Sequence, residues 1–583
     1  MRKLCTLVVV AMFVFIGVAR AAWAGGPLDF RIPPDALVYV GWQGANDLAG
    51  DYAQSNLKGI LDNSKLPQYL VENWPTWMGQ LKDSDEDAAE RFQQASVGLE
   101  MLWRHTCALY VGPVSLANPA KPNVKFAVLC DAGEDAEKLE TWAKEWIAKV
   151  PPSEDFKPVV YRNGTLVIFT ETDVKPEDFF RNDGGLAASP AYKAANASLM
   201  KDRMAGVYID AQKILVTIEE AVRVNPDAPE EAKKGVPAMF KALGLGSLTQ
   251  IAGGATMDGK EWVEQVFIGS KAPRSGVLAL LFDVQPISDD AIKMVPKDAA
   301  AMNLGRFDLA KGMALVREVV SQVAPESMPN LDNALAMAKE TTGVDIEKEL
   351  LATFGDEWVT YRGPLTESAS YPFVLVNKLR EAAALTKALE ALGTKVNEMA
   401  GGRVQVEKMD TGTFEVTGIR LPQITIAWTI RDGIFYVSSL EGISSAVEQV
   451  EKKGESILAN ANYVKVRGAL PVHKAISITY SEPAKLYSEA YRGLMGLLPL
   501  GRMAGLDLPA DLLPLPKKVA GFMTPGGSIS WLDADGLHVS SRCAFPGAEI
   551  LGQQASPPTL LGATAVGAGA AFFSARLTVV PAH

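Results

Sequence analysis

Histidine is scarce in this 583-residue chain. There are four, His105, His473, His538 and His583, and they stand far apart, so none forms the two-histidine helix motif of a zinc enzyme. Cysteine is equally rare, and Cys5 falls within an N-terminal apolar run, leaving Cys107, Cys130 and Cys543. Three is an odd count for an exported chain and too few for a disulfide-built scaffold. No dense cluster of lysine and arginine occurs, and the net charge of -11 would repel nucleic acid phosphates and anionic lipid headgroups. A P-loop is missing. Gly244-Leu245-Gly246 lacks the third glycine of a dinucleotide fingerprint, so no nucleotide or other cofactor is expected. No apolar run reaches the roughly 20 residues that span a bilayer.

What is present begins at the N-terminus. Arg2 and Lys3 precede an apolar run over residues 4–18, and Ala22-Trp23-Ala24 offers small residues at the two positions a signal peptidase reads. Residues 1–24 are therefore read as a secretory signal cleaved near Ala24, giving a periplasmic or secreted protein. Cleavage removes three positive charges and no acid, taking the net charge from -11 to -14. At the other end, residues 547–583 form a tail rich in Ala, Gly and Pro. Its uncharged stretch 559–575, closed by Arg576, is short of a bilayer span and rich in Ala and Gly, so a loosely ordered tail is expected; the alternative, a C-terminal anchor, is the one route left open for membrane contact.

Between these ends the chain reads as two diverged copies of one pattern. Ile32-Pro33-Pro34-Asp35-Ala36 returns as Val295-Pro296-Lys297-Asp298-Ala299, and Tyr110-Val111-Gly112-Pro113 as Tyr361-Arg362-Gly363-Pro364. Arg162-Asn163-Gly164 is answered by Arg431-Asp432-Gly433, and Asp258-Gly259 by Asp535-Gly536. The order of the landmarks carries the argument, since any single pair would be noise. The expected domains are repeat lobe 1 (25–270), a linker (271–294) and repeat lobe 2 (295–546). The apolar run 277–282 in the linker is too costly to leave in water and is expected to be buried.

Within each copy, helical periodicity comes first and strand alternation follows. Residues 45–94 read as several short amphipathic helices broken at Pro75, and 134–149 and 214–224 as further helices. Strands are expected at 102–111, 124–129, 158–161, 165–169, 204–209 and 261–268. In the second copy helices are expected at 311–323, 331–341, 346–352 and 381–399, with Asp345 capping the third. Strands follow at 358–361, 373–376, 404–408, 414–417, 425–430 and 434–438. Hairpin signals dominate, so the fold class is α+β: two similar lobes from a tandem duplication, each an antiparallel sheet with packed helices.

Short motifs with chemical meaning do not assemble into a catalytic set. Asp410-Thr411-Gly412 matches the aspartic protease triplet, but that chemistry needs a second such aspartate, and here the triplet reads as a turn. Ser55-x-x-Lys58 and Ser198-x-x-Lys201 match the Ser-x-x-Lys pattern without a Lys-Thr-Gly partner and read as helix-surface residues. Asp533-Ala534-Asp535-Gly536 starts like a calcium loop but lacks the later glutamate and reads as a hairpin turn. Cys107 and Cys130 fall on successive predicted strands. They face each other if the strands pair about a loop near 117–118, which makes them a candidate disulfide or two small buried hydrophobes. Asn163 and Asn196 head glycosylation-type triplets, the first of which is accounted for as a turn.

The opening Pro-Asp-Ala strand, Leu278-Ala279-Leu280-Leu281 leading to Pro286-Ile287-Ser288-Asp289, and Thr342-Gly343-Val344-Asp345 with Gly355-Asp356-Glu357 resemble an uncharacterised family of exported bacterial proteins, a domain of unknown function. The resemblance implies export and a two-lobed α+β build, and it carries over no active site. The functional expectation is a non-catalytic envelope protein that binds a protein partner or an apolar ligand. The alternative is an extracytoplasmic hydrolase whose residues meet only in the fold.

Overall fold

The structure, a computed structural model, describes residues 28–548 apart from 85, 119–122, 150–156, 172–173, 181–183, 202, 368–369, 401–403, 421–424, 504–508 and 510–511. The expected signal segment and the tail from 549 onward, with the stretch 559–575 and His583, lie outside the described residues. Two compact units are present. Among the described residues, unit 1 takes 28–274, 487–524 and 532–548, and unit 2 takes 275–486 and 525–531.

Unit 1 is built on β1 (Val38–Trp42), β2 (Thr106–Ser115), β3 (Asn123–Asp131), β4 (Pro158–Asn163), β5 (Leu166–Glu171), β6 (Ala205–Ile209), β7 (Leu248–Asp258) and β8 (Glu261–Ser270). They pair antiparallel in the order β4-β5-β3-β2-β1-β6-β7-β8. Tyr39, Tyr110, Leu129, Ile168 and Tyr208 of these strands form the core with Phe179 and Tyr192. The β4–β5 and β7–β8 hairpins turn on Gly164-Thr165 and Gly259-Lys260, one residue later than the expected Asn163-Gly164 and Asp258-Gly259. Both glycines have positive φ, +62° in each case, which puts glycine at the first central position of a two-residue turn.

The helices of unit 1 correct one expectation. Residues 66–104 form two long helices, α1 (Leu66–Ser84) and α2 (Glu86–Arg104), and the strand expected from 102 starts only at Thr106. Pro75 lies inside α1 and does not end it. Proline removes a single intrahelical bond, the one its N–H would make to the Val71 carbonyl; separately, the Asn73 side chain donates to the Tyr69 carbonyl at 2.9 Å. The helix expected at 134–149 is present as α3 (Ala136–Lys149) and the one at 214–224 as α4 (Ala211–Val224), capped by Asp210. A further helix, α5 (Glu230–Leu243), carries Pro237 within it.

In unit 2 the first two elements come from the expected linker: α6 (Gly276–Phe282), which buries Leu278 and Phe282, and α7 (Asp289–Lys293). Then follow β9 (Ala301–Arg306), α8 (Leu309–Val323), α9 (Met328–Thr342), β10 (Glu357–Arg362), β11 (Phe373–Lys378) and α10 (Ala382–Met399). Residues 346–353 make a π turn and a 3-10 turn, and Asp345 caps them by accepting from the Lys348 N–H at 3.1 Å. The remaining elements are β12 (Val406–Asp410), β13 (Glu415–Arg420), β14 (Thr425–Arg431), β15 (Ile434–Ser438), α11 (Leu440–Glu451), α12 (Ala461–Ala469), β16 (Ala475–Ser481) and β17 (Gly526–Leu532), while α13 (Pro483–Met503) begins in unit 2 and belongs to unit 1 from Tyr487 on. The pairing order is β12-β13-β14-β15-β11-β10-β9-β16-β17, again antiparallel. Asp432 and Gly433 both have positive φ, as the tight β14–β15 turn requires.

The last strand, β18 (Gly536–Cys543), belongs to unit 1. It pairs along its length with β8, from Gly536 opposite Gly269 to Cys543 opposite Trp262. Arg542 fixes this edge by donating to Glu261 at 2.7 Å and to Asp258. Unit 1 thus takes in residues 487–524 and 532–548 as well as 28–274, where residues 295–546 were expected in repeat lobe 2 and those beyond in the tail. Strand pairing, which depends on partners far apart in the chain, assigns residues 532–548 to the first unit.

Candidate functional site

A cleft of about 550 Å³ opens in unit 2, within the size range of small-molecule sites. Its floor follows from the register of three strands. Tyr361 of β10 pairs with Val374 of β11, and Val374 pairs with Ser438 of β15, so all three reach the same end of the sheet at one level. Immediately beyond Ser438 the chain turns into α11, capped by Ser439, whose hydroxyl accepts from the Gly442 N–H at 3.3 Å. The start of α11 can sit this close to the sheet because residue 442 is glycine. A Cβ there would lie 2.3 Å from the Ser438 hydroxyl oxygen and 2.6 Å from Pro372 Cβ.

Two loops complete the cleft. The β10–β11 connection supplies Pro364, Leu365, Thr366 and Glu367, and it is closed by Gly363 N–H donating to Pro372 O at 2.8 Å and Thr366 N–H to Ser370 O at 2.9 Å. The β12–β13 turn supplies Asp410 and Thr411. Asp410 Oδ1 accepts from the Gly412 N–H at 2.8 Å, and the Thr411 hydroxyl accepts from the Phe414 N–H at 3.1 Å. The protease-like triplet is thus a turn, as expected, but a turn on the rim of a cleft.

Tyr361 is the unusual member. It is 1% exposed, and its hydroxyl has no hydrogen-bond partner among the described residues. Three other buried tyrosines have partners: Tyr110 donates to Asp35 at 3.1 Å, Tyr192 to Asp29 at 2.9 Å and Tyr480 to Glu482 at 3.1 Å. Leaving a buried hydroxyl unpaired costs about 1–3 kcal/mol. Burial, and then the neighbouring Tyr436, push the Tyr361 phenol far above its ordinary value, so it remains a neutral O–H.

The other sequence-level candidates lie elsewhere. Ser55 caps the helix Asn56–Asp62, accepting from the Lys58 N–H at 3.1 Å, so it is buried rather than displayed on a helix surface. Ser198 lies in an exposed turn after the helix Pro190–Asn196. His105 pairs with Asp135 at 3.1 Å and His538 with Asp533 at 2.7 Å, both within unit 1. Asp533 Oδ1 also accepts from the N–H groups of Asp535 and Gly536, which makes residues 533–536 a side-chain-closed turn. His473 stacks on Trp531 in unit 2 with ring centroids 4.5 Å apart. No histidine lines the cleft, and no group of three or more His, Cys, Asp or Glu among the described residues could hold a metal ion.

Cys107 and Cys130 stand directly opposite each other on β2 and β3, and both are free thiols, as is Cys543. The register expected for them is present. A hydrogen bond with Cys130, and then burial, push the Cys107 thiol well above its ordinary range, and its Sγ donates to Leu102 O at 3.1 Å. Neutral buried thiols react slowly. Alkylation without reductant is expected to be slow in the folded protein and to add three groups to the signal-free chain on unfolding. Addition of a single group would show a Cys107–Cys130 bridge.

Unit 1 has a second surface of note. Leu70, Val71, Trp74 and Trp77 of α1 and Trp103 of α2 are exposed, and Trp103 stacks on Trp42 at 4.5 Å between centroids. No helix among the described residues is long and apolar enough to cross a membrane. No protein-family model, curated protein or solved structure matches the chain.

Proposed function

We propose that this is an exported, non-catalytic binding protein of the bacterial envelope, built from two duplicated α+β lobes, with its ligand seat in the unit 2 cleft. The observation that carries the reading is the buried Tyr361 hydroxyl without a partner, because a binding site is a place where the fold leaves such a group to be satisfied from outside. Export is supported by the charged, apolar and small-residue sequence of positions 2–24 and by the resemblance to exported proteins of unknown function. Duplication is supported by the ordered landmarks and by two equivalent strand runs, β5-β3-β2-β1-β6-β7 and β15-β11-β10-β9-β16-β17. Against hydrolysis, Asp410 spends a carboxylate oxygen on its own turn, and the His–Asp pairs belong to the other unit. The exposed tryptophans of α1 and α2 support a protein partner as a second ligand class.

The test is native mass spectrometry of protein purified from the envelope fraction. Wild type is expected to carry a small molecule that is lost from Ser445→Trp, since Ser445 is exposed at the cleft and a bulky ring there fills it without entering the core. Wild type and variant each at the mass of its own bare polypeptide, or turnover of a hydrolase substrate panel, would sink the proposal.

A further inference from the structure

The chemistry of the cleft narrows its ligand. Glu367, Asp410 and Glu441 border it, all three exposed and Glu441 with an interaction of its own, and no lysine or arginine does so among the described residues. A concave site lined by charge of one sign concentrates counter-ions and repels like ions. The three carboxylates come from three separate segments, the β10–β11 loop, the β12–β13 turn and the first turn of α11, and they do not converge as a metal-ion cluster. A charge spread around a cleft of about 550 Å³ suits a molecular cation better than a bare ion. Between the carboxylates, Pro364, Leu365, Pro372, Val374 and Leu440 give the same cleft an apolar wall. Tyr361 is among the lining residues, and its buried hydroxyl, without a partner among the described residues, can as a neutral phenol accept an N–H.

The position corresponding to Tyr361 in unit 1 sharpens the contrast. Tyr110 occupies the same place in the Tyr-x-Gly-Pro landmark, and its hydroxyl is satisfied by Asp35 of the Pro-Asp-Ala segment. The matching aspartate in unit 2, Asp298, is exposed, and the Tyr361 hydroxyl is without a partner. The landmark residues are kept while the internal bond is given up in one unit.

We infer that the unit 2 cleft takes a small organic cation, an ammonium group carried on an apolar body, an inference that rests on the cleft being a ligand site. The ammonium lies among the carboxylates of Glu367, Asp410 and Glu441, and the apolar body lies against Leu365, Val374 and Leu440. Tyr361 accepts a hydrogen bond from the cation.

Three probes sharing one chain and differing in head group test this by titration calorimetry: hexylammonium, 1-hexanol and hexanoate. Hexylammonium should bind at least about tenfold more tightly than hexanol, the difference expected of a charge-assisted contact, with hexanoate weakest. Its affinity should fall as salt rises to about 0.5 M. The triple variant E367Q/D410N/E441Q, which keeps side-chain shape and the Asp410 turn acceptor, should erase the preference. Tyr361→Phe should weaken hexylammonium by about tenfold without lowering the thermal midpoint, because it deletes an unpaired buried hydroxyl. Hexanol or hexanoate binding as tightly as hexylammonium overturns the cation inference and leaves the cleft reading standing, as does unchanged binding in the triple variant. Binding of none of the three also overturns the inference, and the Ser445→Trp comparison then decides separately whether the cleft reading falls with it.

Discussion

Arg306→Ala is expected to destabilise unit 2 by about 3–4 kcal/mol, the cost of stranding partly buried carboxylates when their cation is removed. The Arg306 side chain is 14% exposed and sits on β9 directly opposite Glu357 of β10. It donates to Glu357 at 3.0 Å, to Asp356 at 2.9 Å and to the Pro286 carbonyl at 3.0 Å. Glu357 in turn accepts from the N–H and hydroxyl of Ser288, at 2.7 and 2.8 Å, and that hydroxyl caps α7. One guanidinium therefore ties two strands of the sheet to the segment that opens unit 2. Hydrogen exchange read by mass spectrometry over residues 301–306 should show the loss. The double variant Arg306→Met with Glu357→Leu should recover much of it, since the uncompensated charge goes with the pair. A single variant that exchanges like wild type would show that the network contributes only orientation.

A comparable loss, about 4 kcal/mol, is expected for Trp358→Ala. This indole is buried on β10, donates to the Phe307 carbonyl at 2.9 Å and packs against Phe354 at 5.3 Å between centroids. Truncation opens a large cavity and leaves a carbonyl unpaired. Trp358→Phe fills most of the volume and forfeits only the hydrogen bond, so its cost should be nearer 1 kcal/mol. Denaturant titration followed by hydrogen exchange of unit 2 separates the two, and equal losses would assign the effect to the hydrogen bond alone.

Much of the secondary structure was legible because it is encoded locally. Alternation marked β10, β11, β14 and β15, periodicity marked α8, α9 and α10, and Asp345 announced its cap. The failures have separate origins. Pro75 reads as a break, yet α1 continues through it. The one-residue displacement of two hairpin turns reflects a choice of which residues adopt positive φ, which the dipeptides Asn163-Gly164 and Asp258-Gly259 do not decide alone. The cleft was legible only in pieces. Asp410 was recognisable as a turn residue and Tyr361 as a landmark, but the unpaired hydroxyl exists only once β10, β11 and α11 come together. The signal in the sequence was the shared Tyr-x-Gly-Pro beside differing surroundings of Asp35 and Asp298.

The pairing of β18 with β8 has a consequence for how the chain is made. β8 ends at Ser270 and its neighbour starts at Gly536, so throughout synthesis of the intervening residues one edge of the nascent first unit presents unpaired N–H and C=O groups. Contacts that span so much chain slow folding and lengthen the life of aggregation-prone intermediates. A translation product stopped before residue 536 would carry that open edge permanently, while a chain kept unfolded by a chaperone until completion would meet both strands at once.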